Sequence, residues 1–182
     1  MDVNKLKWCC KQKAGLKLDK PNDNLAKEYL QSAEETLSIL QDIKGKSNMW
    51  LATTKYYCEY FSIYALLQKI GLKCEIHNCT IEIAKLLEEI KIIPEGYSRK
   101  LEEDKDLRID NQYYLKNKSV YINIRELSEF ILTIKNKVNS ITLSEINKIR
   151  GEIKKIITPK LLRFLRRPVP HFMSNSQKFS TR

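Results

Sequence analysis

Residues 47–90 read S-N-M-W-L-A-T-T-K-Y-Y-C-E-Y-F-S-I-Y-A-L-L-Q-K-I-G-L-K-C-E-I-H-N-C-T-I-E-I-A-K-L-L-E-E-I, and their pattern decides the fold. From Trp50 to Ile70 apolar and aromatic residues occupy nearly every face of a helical wheel, while Lys55, Glu59, Ser62 and Lys69 fall on one narrow polar stripe. A helix wet only along one line is a central helix, with others packed around it. Ser47 is placed to cap its start and Gly71 to end it. Phe61 and Leu66 are expected in its core.

Outward from this helix, periodicity and capping residues place five more. Upstream, P-N-D-N at 21–24 precedes Leu25, Tyr29, Ala33, Leu37, Leu40 and Ile43, which step along one face and predict a helix over 23–43. The short link around Gly45 makes it the antiparallel neighbour of the central helix. Downstream, a loop over 72–78 carries His77, and Ile83, Leu86, Leu87 and Ile90 mark a helix over 79–91 that ends before Pro94 and Gly96. The charged stretch 98–115 has a weak helical period. Asn123 with Glu126, and Thr142 with Glu145, have capping-box spacing ahead of helices over 123–139 and 142–157. Residues 1–20 are too irregular to predict an element, and no persistent strand alternation or fixed-period repeat occurs. The expected fold is all-α, an antiparallel up-and-down bundle of four to five helices with an additional C-terminal helix. The expected division is a basic leader (1–22), the bundle (23–139), the additional helix (140–158) and a basic, partly disordered tail (159–182).

The 182 residues suit one core. The formal charge of +11 comes from 33 Lys and Arg against 22 Asp and Glu, and its excess lies at the ends and in the 142–157 helix. Basic ends on a balanced body favour a polyanionic partner, nucleic acid or an acidic protein face, with Lys154, Lys155, Arg163, Arg166 and Arg167 as the contacts. A solubilising role for these ends is the plainer alternative. No secretory leader is legible and no run approaches the roughly twenty apolar residues of a membrane span, so a cytoplasmic protein with reduced thiols is expected. Cys74, His77 and Cys79 lack the second ligand pair of a zinc site, and the five cysteines read as core or loop residues. No metal and no cofactor is expected.

The order of these features resembles the HEPN (higher eukaryotes and prokaryotes nucleotide-binding) domains. The resemblance is carried by A-x-x-Y-L-x-x-A at 26–33; by Tyr56, Tyr57, Phe61, Ala65, Leu66, Leu67 and Gly71 of the central stretch; by His77 six residues after that glycine; and by L-R-x-x-x-x-Y at Leu107, Arg108 and Tyr113. It covers about residues 23–139 and is similar to a small prokaryotic branch. It implies a helical bundle, a homodimer, and partnership with a minimal nucleotidyltransferase in a toxin–antitoxin pair. Many members are metal-independent ribonucleases whose site is an Arg followed four to six residues later by His. Imidazole can take the proton of a ribose 2′-hydroxyl while guanidinium stabilises the anionic phosphorane.

This chain departs from that pattern at the catalytic position. Five residues after Arg108 stands Tyr113, with Tyr114 beside it, and Ile109 replaces the polar residue that usually follows the Arg. A tyrosine, with an ordinary pKa of about 10, is a poor general base near neutrality. The sequence therefore predicts a non-catalytic or weakly active component that binds a nucleotidyltransferase partner, nucleic acid, or both. The alternative is a metal-independent endoribonuclease in which Arg108 works with His77 or Tyr113. Each residue also has a structural reading: Arg108 pairing with Glu103 or Asp104 on a solvated face, His77 hydrogen-bonding beside a helix end, and the tyrosines of the central helix packing in the core.

Overall fold

The central helix, α3, runs Asn48–Ile70. Ser47 Oγ accepts from Trp50 N–H at its start, and Gly71 ends it at φ +76°, a left-handed conformation that glycine tolerates best. The computed structural model describes residues 1–157, and these are mostly helical. Six further helices surround or flank α3: α1 (Val3–Lys11), α2 (Asp23–Asp42), α4 (His77–Glu89), α5 (Tyr97–Gln112), α6 (Ile124–Ser140) and α7 (Leu143–Ile157).

Helix α2 lies antiparallel to α3. Its capping residue Asn22 donates its N–H to Gln68 O near the end of α3, and Asp23 pairs with Lys69 at 2.9 Å. Ala26, Leu30, Ala33 and Leu40 are buried, with Tyr29, Leu37 and Ile43 half-buried beside them. Leu66 is fully buried in α3. Phe61, expected in the core, is only half-buried: it sits where the main core meets a smaller one of Ala33, Leu40, Leu51, Cys58, Leu127 and Ile131.

The reciprocal capping box at Thr142 and Glu145 forms in full, each backbone N–H donating to the other's side chain at 2.9 and 3.2 Å. At Asn123 the asparagine caps Glu126 N–H at 3.3 Å, while the Glu126 carboxylate turns to Lys100. Helix α7 then buries Ile146, Ile149 and Ile153 against α1 and α3. From α7, Arg150 Nη1 donates to the carbonyls of Asp19, Ile70 and Gly71 at 2.7–2.9 Å. A cation at the carbonyl end of α3 is well placed against the helix dipole.

The leader departs most from its expected irregularity. Asp2 caps α1 by accepting from Asn4 and Lys5 N–H, and Leu6 and Cys9 enter the core. Residues Lys17–Leu18 (β1) then pair antiparallel with Leu72–Lys73 (β2) just beyond α3, a two-residue ribbon too short to leave an alternating pattern in the sequence. Cys9 is joined to Cys79 by a disulfide, which corrects the expectation of reduced thiols throughout; Cys10, Cys58 and Cys74 are free. No helix among the described residues is long and apolar enough to cross a membrane. The basic tail at 159–182 lies outside the described residues.

Candidate functional site

Helix α5 looks inconspicuous in sequence because its buried face is charged. Leu101, Asp104, Lys105, Arg108 and Asn111 recur at three and four, and all are buried. Only the first is apolar. Asp104 meets the stripe of α3 that the sequence assigned to solvent, where Glu59 and Ser62 are buried and Lys55 is half-buried. At Lys55 and Glu59 the stripe faces α5 rather than open solvent, which corrects the single wet line. Lys55 Nζ lies 2.8 Å from Asp104 Oδ1. Glu59 stands next to Asp104 with Oε2 buried and unpartnered; burial, and then the Asp104 charge, push its carboxyl well above the usual range. Glu59 thus shares its buried surroundings with the lysine-paired Asp104.

One turn further along, Arg108 closes the contact. It is 6% exposed and pairs with neither Glu103 nor Asp104, which corrects the solvated-face alternative. Its Nη1 donates to Tyr57 Oη at 3.1 Å, and its guanidinium carbon lies 4.8 Å from the Tyr56 ring centroid and 5.5 Å from that of Tyr57. Such cation–π contacts gain strength when desolvated. Its Nε is buried without a protein partner.

His77 is not on a loop, as expected, but opens α4, whose capping position Ile76 offers no side-chain bond. Its ring packs 4.6 Å from that of Tyr60, and its Nδ1 lies 2.5 Å from Tyr56 Oη. Burial, followed by the Arg108 and Lys105 charges, lowers the imidazole to about 4. At neutral pH it is uncharged, and since burial pushes the Tyr56 phenol well up, Tyr56 donates and Nδ1 accepts. Beside it, Asn78 Oδ1 accepts from Lys105 Nζ at 2.8 Å. Of Cys74, His77 and Cys79, which the sequence read as core or loop residues, Cys79 is in the disulfide and His77 is bonded to Tyr56.

Tyr113 forms the rim of this cluster. It is 64% exposed and its ring centroid is 5.9 Å from the Arg108 guanidinium carbon. After it, residues 113–121 form an exposed strap in which Tyr114, Leu115 and Tyr121 stand in solvent. The strap is pinned in several places. Asp110 holds Lys116 at 2.8 Å and Lys118 at 2.5 Å, and Asn111 accepts from Lys118 N–H and donates to Lys118 O. Asn48 at the start of α3 bonds Asn117 at 3.0 Å. Leu115 and Asn117 adopt positive φ, so the chain reverses tightly here.

The structure thus brings Arg108, His77 and Tyr113 to one place through Tyr56 and Tyr57, although 31 positions separate Arg108 from His77 in the chain. It does not bring Lys154 and Lys155 there. Both are exposed on α7, with Lys155 on Glu152 at 2.7 Å, and Arg163, Arg166 and Arg167 lie outside the described residues. Sequence reasoning assigned Tyr56 and Tyr57 to packing alone and passed over Lys105 and Asn78. The inward recurrence of Asp104, Lys105, Arg108 and Asn111 was the available signal.

Fold and site together define a mostly helical protein with a buried arginine–tyrosine–histidine cluster and an exposed aromatic strap at its rim. Compared with known proteins, the chain matches no family model, no curated protein and no solved structure.

Proposed function

We propose that this protein is a non-catalytic, HEPN-like helical bundle that binds nucleic acid. The observation that supports it best is the pinned strap, where exposed Tyr113 and Tyr114 on one side and Tyr121 on the other flank Lys116 and Lys118. Exposed aromatic rings offer stacking surfaces to unpaired bases, and neighbouring cations meet the phosphates. The excess basic charge at the chain ends adds sequence-independent attraction. Catalysis is disfavoured by the chemistry of the cluster. An imidazole lowered to about 4, with Nδ1 committed to Tyr56, is a weak base for a ribose hydroxyl.

The test is equilibrium binding of a labelled single-stranded RNA and a duplex of equal length. The full chain is expected to prefer the single strand, with affinity falling roughly 0.7 log units per log unit of salt for each phosphate neutralised. The double variant Tyr113→Ala, Tyr114→Ala should weaken binding about tenfold or more, since a stacked base contributes roughly 1–3 kcal/mol. Equal affinity of wild type and variant would sink the strap reading. Capture of a nucleotidyltransferase from the native host, without RNA binding, would shift the proposal to a partner-binding module.

A second reading is favoured by the contact of both Arg108 and His77 with Tyr56: a metal-independent ribonuclease. Cleavage of single-stranded RNA by the purified chain without metal, abolished by His77→Ala and retained by Tyr113→Phe, would establish it over the binding module.

A further inference from the structure

We propose that the Cys9–Cys79 disulfide is a redox latch that fastens the N-terminal helix across the first turn of α4 and so regulates the order of the His77 end of the site. The disulfide spans 70 residues and ties α1 to a cysteine two positions after His77 and one after Asn78, the two residues that reach Tyr56 and Lys105.

Apart from the disulfide, α1 is held by Leu6 and Cys9 in the core and by its packing against α7. It is nine residues long, and only Leu6 and Cys9 are buried in it. Helices this short are marginal in water unless they are packed. Its other ties along α4 are polar: the Met1 amino group on Glu89, Asp2 N–H to Glu82 Oε2 at 3.2 Å, and Lys5 near Glu82 at 3.7 Å. Lys5 is 62% exposed and Glu89 49%, so water competes for both pairs. These contacts run from Glu89 back to Cys79, so α1 lies antiparallel along α4 and the disulfide closes the end nearest the site.

The bond itself is buried, with Cys9 2% and Cys79 0% exposed, and Cys9 is its side nearer the surface. A surface cleft of about 280 Å³ between α1, α4 and α5 is lined by Trp8, Cys9, Asn78 and Lys105. A dithiol reductant can act there in two steps. Its thiolate attacks Cys9 Sγ and the S–S bond breaks, with Cys79 leaving as a thiolate. Its second thiol then attacks the mixed disulfide and frees Cys9. The reductant ends as a disulfide, and its two protons end on Cys9 and Cys79. Freed from Cys79, α1 lifts and the first turn of α4 loses its only disulfide cross-link among the described residues.

The proposal is independent of nucleic-acid binding, because its readout is structural. Full-length protein purified without reductant is mapped by non-reducing peptide mass spectrometry, then followed by amide hydrogen exchange with and without dithiothreitol. The Cys9–Cys79 cross-link should be found. Reduction should accelerate exchange at least tenfold in residues 3–11 and 77–81 and leave α2 and α3 within about twofold. Cys9→Ser should reproduce this without reductant, Cys10→Ser should not, and glutathione disulfide should restore protection in the reduced wild type. Absence of the cross-link, or unchanged protection on reduction, would overturn the latch. Acceleration throughout α2 and α3 would overturn it equally, since the disulfide would then be a global staple.

Discussion

Helices α2 and α5 both pack along α3, and they do so by opposite chemistry. Helix α2 presents Ala26, Leu30, Ala33 and Leu40, whose burial is non-directional and tolerates any neighbour of suitable shape. Helix α5 presents Asp104 and Arg108 to α3, with Lys105 turned to α4 and Asn111 to the strap, and each needs a specific partner at hydrogen-bonding distance. The apolar contact fixes which helix is next to which. The polar contact fixes which residues meet, and it places Arg108 over Tyr56 and Tyr57.

The largest expected effect breaks the apolar half. Leu66→Ala, at a fully buried position of α3, should cost about 3–5 kcal/mol, read as a fall in the urea midpoint at unchanged slope. Phe61→Ala should cost less, because Phe61 keeps part of its ring in solvent. Equal losses at the two positions would mean that the centre of the core is misplaced.

Next comes the polar half. Lys55→Met removes the cation from Asp104 and leaves that carboxylate beside Glu59, at an expected cost of about 2–3 kcal/mol. The value falls below the full buried-pair range because 20% of the Lys55 side chain remains in water. Lys55→Met combined with Asp104→Leu should return to within about 1 kcal/mol of wild type, since replacing both partners removes the stranded charge. No recovery in the double variant would show that the pair does more than satisfy itself.

The smallest effect is a pH dependence that sharpens the contrast at His77. Its imidazole is lowered from 6.5 to about 4, so between those values the unfolded chain binds more protons than the folded one. Stability should therefore fall as pH drops from about 6.5 toward about 4. Glu59 works in the opposite sense: its raised carboxyl favours the fold at low pH, a contribution lost as pH rises through its folded value. His77→Gln should flatten the acid-side fall in denaturation midpoints, whereas an unchanged profile would mean that His77 is not buried among Arg108 and Lys105.

The ends of the helices were legible because they depend on neighbours in sequence. Ser47 and Gly71 bound α3, and Thr142 with Glu145 opens α7, through bonds reaching no more than four residues. The apolar face of α2 was legible for the same reason, since helical periodicity alone sets which of its residues share a side. Arg108 was singled out by its spacing to Tyr113, but its surroundings were not visible.

Only the tertiary structure decided where polar residues go. Lys55, Glu59 and Arg108 have the same composition and spacing whether their helix face meets water or another charged helix, so periodicity cannot distinguish the two. The arrival of α5 distinguishes them, by supplying Asp104 to Lys55 and tyrosine rings to Arg108 across about fifty positions of chain. The leader follows the same rule: α1 buries too few side chains to declare itself, and Cys9 finds Cys79 only once α4 is in place. Local sequence fixes what a segment can become, and long-range proximity supplies the partners that decide which polar groups can leave water.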